Sequence, residues 1–234
     1  MQNPGIRHMM LKKIGDKFKH RQVMFYLLDR LKGLGIVCKP FYVVLEGQNN
    51  IRSLAGPDVE DFSVAILSEG ETLSLAGHSE AEITEERLEQ RIRKGSQCFA
   101  MKSESRIVAF MWYNLKTFDA PWMKFDLLPD EAYLFDAKTY KAFRGKKLAP
   151  FLRQELYAHL NSLGRSRFYS VTEYFNTPAY KFKQKIGAVN LSLHLHIELF
   201  DVWRTNIRLK TFRHRFPSVR QRIVGSERTE RIEH

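Results

Sequence analysis

Between Tyr133 and Ala188 the chain sets down a fixed order of signals. A strand-like run (YLFDAKTY) leads into the turn Phe143-Arg144-Gly145-Lys146-Lys147, and an amphipathic helix opens at Leu148. A second short strand (RFYSVTE), an Asn at 176, another helix and a Gly at 187 follow. A strand that passes through an amide-rich turn into a helix N-terminus builds an anion site. The first amides of a helix have no internal partner and carry part of the helix dipole. A diphosphate can take those protons with little reorganisation. Pro150 falls within the first turn of this helix, where a missing N–H costs nothing.

The flanking segments frame this unit. Apolar residues Ile14, Phe18, Phe25, Leu28 and Leu31, interleaved with Lys and Arg, predict a basic amphipathic helix over 11–34, stopped by Gly33 and Gly35. Residues 36–46 read as a strand, 48–57 as a turn, and 58–67 as either helix or strand. Thr84 opens a helix to Arg93 with acids at its start and bases at its end. Residues 97–103 and 106–115 form a hairpin, and 117–130 reads as an irregular aromatic loop. The core unit is then strand 132–140, helix 148–163, strand 167–173 and helix 177–186. The alternating run 189–200 is a strand, and the Arg-rich remainder has little periodicity. This order predicts an α/β protein with a mixed sheet.

Charge divides the chain into three parts: a basic N-terminal helix (1–35), a domain (36–203) and a basic tail (204–234). The net charge of +12 resides at the ends: residues 1–39 hold nine Lys/Arg against two acids, and 204–234 hold nine against three. The body is close to neutral, which argues against a nucleic-acid-binding core. It points to appendages that touch an anionic surface, such as a membrane met by the N-terminal helix. The longest apolar run near the N-terminus, from Val23 to Leu28, is too short to span a bilayer or to serve as a signal peptide. Cys38 and Cys98 lie far apart with no CxxC, as free thiols of a reducing compartment do. Together these features predict a cytoplasmic protein, peripheral at most to the inner face of a membrane.

The ordered set resembles the GNAT superfamily of acyl-CoA-dependent N-acyltransferases. That family carries Arg/Gln-x-x-Gly-x-Gly/Ala after its fourth strand. Here Arg144 and Ala149 fill the first and last places, and Lys147 replaces the middle Gly. Downstream, Asn176, Ala179, Phe182 and Gly187 match the family's spacing. The resemblance implies a mostly antiparallel sheet flanked by helices, with two central strands that splay to admit acetyl-CoA or another acyl-CoA. Pantetheine would pair with backbone near Ala137 and Thr139. The amides of Gly145, Lys146, Lys147, Leu148 and Ala149 would hold the diphosphate beside Arg144, with Asn176 a further cofactor-binding residue.

Acyl transfer to an amine needs a neutral amine, a donor for the oxyanion and a proton for the departing thiolate. Asp136 and Glu173, near the expected splay, are candidate bases; ordinary ion pairing or capping is the competing role for both. Where the family often places a Tyr acid, this chain has Lys183, a poor acid unless desolvated. Tyr180, one turn earlier, is a substitute. His194, His196 and Glu198 share a strand face. Alternate positions lie ~6.6 Å apart, which strains a third ligand, so a solvated or substrate-facing polar stripe is the better reading and no metal is expected.

These readings predict transfer of an acetyl group to a primary amine of a small molecule, such as an amino sugar or envelope precursor. A non-catalytic acyl-CoA-binding regulator is the alternative, as is a protein that binds anionic membrane or RNA through its basic ends. Nucleic acid is disfavoured by the lack of an RNP-like strand, and a homodimer is left open.

Overall fold

In the computed structural model, residues 26–47, 62–120, 123–212 and 230–231 are described. Residues 26–32 are helical (α1), the end of the helix expected over 11–34; its earlier part lies outside the described residues. The turn at 33–35 closes it, with Gly35 at φ +75°.

Nine strands make one sheet in the order β11-β10-β9-β1-β8-β7-β4-β3-β2. They are β1 (Ile36–Glu46), β2 (Phe62–Ile66), β3 (Gln97–Ser103), β4 (Arg106–Asn114), β7 (Glu131–Thr139), β8 (Arg167–Glu173), β9 (Val189–Leu199), β10 (Trp203–Thr211) and β11 (Glu230–Arg231). Every neighbouring pair is antiparallel except β7 and β8. The helices are α2 (Glu69–Leu73), α3 (Glu85–Arg93), α4 (Leu148–Ser162) and α5 (Thr177–Lys185). The α4 side chains Leu148, Leu152, Leu156 and Leu160 repeat at helical spacing and pack on Ala132, Leu134 and Phe168 of the sheet. The opposite face gathers Phe41, Val43, Tyr133 and Tyr169 under Phe118 and Met123.

That second cover corrects the reading of 117–130 as an irregular loop. Residues Thr117–Ala120 (β5) and Met123–Asp126 (β6) pair antiparallel as a small separate sheet. Their alternation puts Phe118, Ala120 and Met123 into the core, so local pairing and burial together outweigh the turn signals. The ambiguous segment 58–67 contributes β2. A second correction concerns the C-terminal boundary. The sequence reading begins a tail at Arg204, yet β10 pairs with β9 through Thr211. Its alternating polar and apolar residues are a half-exposed strand masked in sequence by its arginines. Residues 213–229 lie outside the described set.

Cys38 and Cys98 are both free. Among the described residues no helix is long and apolar enough to cross a membrane.

Candidate active site

The parallel pair β7–β8 is short. Glu131, Ala132 and Tyr133 align with Arg167, Phe168 and Tyr169, and there the ladder ends. Beyond it β7 stays paired with β4 and β8 with β1, so the two strands part and leave facing edges open. A bulge helps to aim β7. Phe135 and Lys138 flank an extra residue opposite Met111, and Asp136 takes φ +48°. An added residue bends the strand and turns backbone groups out of the ladder.

A cleft of about 2070 Å³ runs through this opening. Sites for one small ligand occupy roughly 300–1,000 Å³, so two substrates fit. Of the residues singled out in the sequence, Asp136, Ala137, Thr139, Arg144, Ala149, Glu173, Asn176 and Lys183 line it. Gly145, Lys146, Lys147 and Leu148 complete the turn at its mouth without lining it. Tyr180 does not reach it; its ring packs on Tyr42, with centroids 5.6 Å apart.

The mouth is built from backbone. Gly145 (φ +82°) and Lys147 (φ +60°) are left-handed, and Lys147 is the N-cap of α4 with no side-chain capping bond. Space beside Gly145 is open, with nothing within 4 Å of a would-be Cβ. Arg144 Nε donates to the Thr139 carbonyl (3.0 Å), tying the turn to the end of β7. The Lys146 ammonium lies 5.3 Å from the Phe143 ring centroid. Asn176, a cofactor-binding residue in the resemblance, has its side chain engaged in capping α5, where its Oδ1 accepts from the Ala179 amide (3.1 Å).

The two candidate bases differ. Asp136 accepts from Arg91 at 2.7 Å. Arg91 itself is held over Trp112 and Phe135, at 4.8 and 5.2 Å from their ring centroids. Glu173 ends β8 exposed, and among the described residues its carboxylate makes no ion pair. It shares a sheet row with Phe41 and His194.

The closed end of the cleft holds a buried charged cluster. Glu46, on the last residue of β1, is fully buried. Its carboxylate accepts from Lys183, from the Ser170 hydroxyl and from the Tyr157 phenol. Lys183 Nζ also donates to Ser170 Oγ (2.8 Å). Arg153 Nη1 stands 3.6 Å from Glu46. Burial pushes the Glu46 carboxyl up, but the charges of Arg153 and Lys183 and the bonds from Lys183 and Ser170 outweigh it, holding it at about 2. Burial pulls the Lys183 ammonium down to about 8, with Arg153 adding to the effect against the attraction of Glu46. Both shifts run downward, that of Glu46 through its cations and that of Lys183 chiefly through burial.

Sequence reasoning overlooked Glu46, Arg153, Tyr157 and Ser170. The readable signal was Arg153, a charge beside Leu152 on the apolar stripe of α4.

The β9 histidines are not a solvated stripe. His194 is buried, stacks on Phe41 (5.2 Å) and bonds Ser192 Oγ (2.7 Å). Burial first, then the charge of Arg208, pulls its imidazole down to about 4, so it is neutral at pH 7. His196 lines the cleft and bonds Asn206 Oδ1 (2.9 Å), with Glu198 3.6 Å away. No group of three or more potential metal ligands occurs among the described residues.

No family model and no curated protein matches the chain. Solved structures do. A GCN5-related N-acetyltransferase from Sphaerobacter thermophilus superposes with a TM-score of 0.52 at 13% identity, over 74% of this chain and 56% of that one. A functionally unknown conserved protein from Staphylococcus epidermidis gives 0.51 at 10% identity, over 74% and 66%. A putative GNAT-family acetyltransferase from Novosphingobium aromaticivorans gives 0.48 at 16% identity, over 70% and 66%. The chain thus spans 56–66% of the length of these structures. At such identities the likeness speaks for architecture alone: this chain has a GNAT-like fold.

Proposed function

We propose that the chain is an N-acyltransferase that moves an acyl group from an acyl-CoA to a primary amine of a polar small molecule. The observation that carries this is the three-residue β7–β8 pairing, beyond which a cleft passes between the strands to the N-terminus of α4. The diphosphate would rest on the amides of 145–149 and pantetheine along the open edge of β7 near Ala137 and Thr139. An acetyl group is the simplest cargo.

The acceptor would enter from the face opposite α4, where Glu173, His196, Arg204 and Asn206 line the cleft. Such a polar lip suits a hydroxylated amine such as an amino sugar, as an envelope precursor would present. Glu173 is the better placed base, directly or through one water. Asp136 is held by Arg91 and shapes the bulge. Lys183, with its ammonium held at about 8, would protonate the thiolate: an ordinary thiol titrates near ~8.5, so the transfer is nearly isoenergetic. The basic N-terminal segment 1–35 would bring the enzyme to an anionic membrane face, a reading for vesicle sedimentation with and without the first 35 residues.

Thermal-shift and calorimetric titration with CoA and acetyl-CoA test the binding half. A ligand at a hundred times its Kd adds ~2.7 kcal/mol to stability; no shift at millimolar CoA would sink the proposal. Transfer of labelled acetyl to amino sugars, polyamines and peptides tests the chemistry. Glu173→Gln should lower kcat ~10²–10⁴-fold and flatten the acid limb of the pH profile, with CoA affinity unchanged.

A further inference from the structure

We propose that the closed end of the cleft is a carboxylate pocket, in which Arg153 and Lys183 select an acyl-CoA whose acyl group ends in a carboxylate. The inference rests on the acyl-CoA reading above and narrows it.

Arg153 is only 3% exposed yet lines the cleft. Its Nε and Nη1 are buried with no hydrogen-bond partner among the described residues. Nη1 is too far from Glu46 for a bond, at 3.6 Å. Glu46 is already engaged by Tyr157, Ser170 and Lys183. Two cations and one carboxylate leave a buried excess of one positive charge beside a cleft. Buried charge of this kind is costly unless paired. Nε and Nη1 lie on opposite sides of the guanidinium, so a carboxylate can take a single charge-assisted bond from either one.

Position decides which anion this is. Glu46 aligns with Phe168, one residue short of Tyr169, the last residue of β8 paired with β7. The cluster therefore sits at the apex of the wedge. Arg153 lies five residues beyond Leu148, about 8 Å down the α4 axis from the turn that would hold the diphosphate. In an acyl-CoA that enters the wedge with its diphosphate at the mouth, the thioester and its acyl group run deepest, toward that end. The acceptor is excluded, because its lip lies on the other face of the sheet, in the row of Glu173 and His194. The donor class is thus a monothioester of a short dicarboxylic acid. In the reaction the amine nitrogen bonds to the thioester carbon and the C–S bond breaks. The amine proton leaves to Glu173, Lys183 protonates the thiolate, and the product is an amide ending in a carboxylate.

The test is calorimetry of the full chain with CoA, acetyl-CoA, malonyl-CoA and succinyl-CoA, for wild type and Arg153→Gln. At least one dicarboxylic ester should bind tenfold or more tighter than acetyl-CoA. In Arg153→Gln that preference should fall to within twofold, with CoA itself bound alike by both. If wild type binds CoA but takes all three esters within twofold, the pocket is refuted while the acyl-CoA reading stands. If it binds no CoA, the underlying reading fails. A preference undiminished in Arg153→Gln, or an equal loss of affinity for every ester, also overturns the assignment. If that variant does not fold, the wild-type panel and Arg153→Lys, which keeps the charge but loses the planar guanidinium, still decide: the preference should weaken in Arg153→Lys, and an unchanged preference refutes the role of the guanidinium.

Discussion

The mouth and the apex of the cleft are made of different material. At the mouth, a contiguous turn with two left-handed residues offers backbone amides, and its lysines point elsewhere or cap the helix without side-chain bonds. At the apex, side chains from β1, α4, β8 and α5 converge on Glu46, which is 137 residues from Lys183 and 111 from Tyr157. The mouth holds its geometry through local dihedral preference. The apex holds only because the tertiary fold brings opposite charges together out of water. Substitutions at the two ends should therefore differ in size and kind.

The largest effect is expected at Lys183. Lys183→Met removes one partner of a buried pair and leaves Glu46 without its closest cation. Breaking such a pair typically costs about 3–5 kcal/mol. Denaturant unfolding should show that loss, and Glu46→Gln in the same chain should restore much of it, because the uncompensated charge is then gone. A double-mutant cycle with near-zero coupling would show that the apex is no cluster at all.

Next comes the response to acid. The folded chain holds Glu46 at about 2, below the ordinary carboxylate value of 4.5. Between those values the unfolded chain binds more protons than the folded one, so stability rises with pH there. The contribution is fully present above about 4.5 and is lost as pH falls toward 2. A shift of that size corresponds to about 3 kcal/mol. His194, held at about 4 against an ordinary 6.5, has the same sign over pH 6.5 to 4 and so acts first on acidification. Unfolding free energies measured from pH 7 to 2.5 should fall in two stages, and Glu46→Gln should shrink the lower one.

This contrast also marks what could be read before the fold was known. The strand 36–46, the helix from Thr84, the β3–β4 hairpin and the α4–β8–α5 unit each announced themselves within a dozen residues, by period, cap or terminal glycine. The turn at 144–149 was legible for the same reason: its shape is set by its own backbone. Glu46 was invisible because YVVLE reads as a strand ending in a solvated acid, and nothing local says that Ser170 and Lys183 will close over it. Tyr180 was misplaced because helical spacing fixes a face but not what that face meets, which here is Tyr42. The β5–β6 hairpin and β10 were hidden by turn-forming and basic residues whose preferences burial and pairing override.

The smallest effects belong to the mouth, and they separate backbone from charge there. Gly145 sits at φ +82° with open space around it, so Gly145→Ala meets only the dihedral penalty. That is about 1–2 kcal/mol, and the turn can relieve it only by moving its amides, which should weaken CoA binding as well. Lys147→Gly does the reverse. It relieves a left-handed lysine at φ +60° and removes a charge beside the proposed diphosphate site. If amide geometry holds the diphosphate, stability should change by less than about 1 kcal/mol. CoA affinity by calorimetry at physiological salt should then stay within about threefold, because an exposed charge is screened there. A tenfold loss in Lys147→Gly with little effect in Gly145→Ala would invert the assignment: the mouth would then hold its anion by a side chain, as the apex is proposed to do.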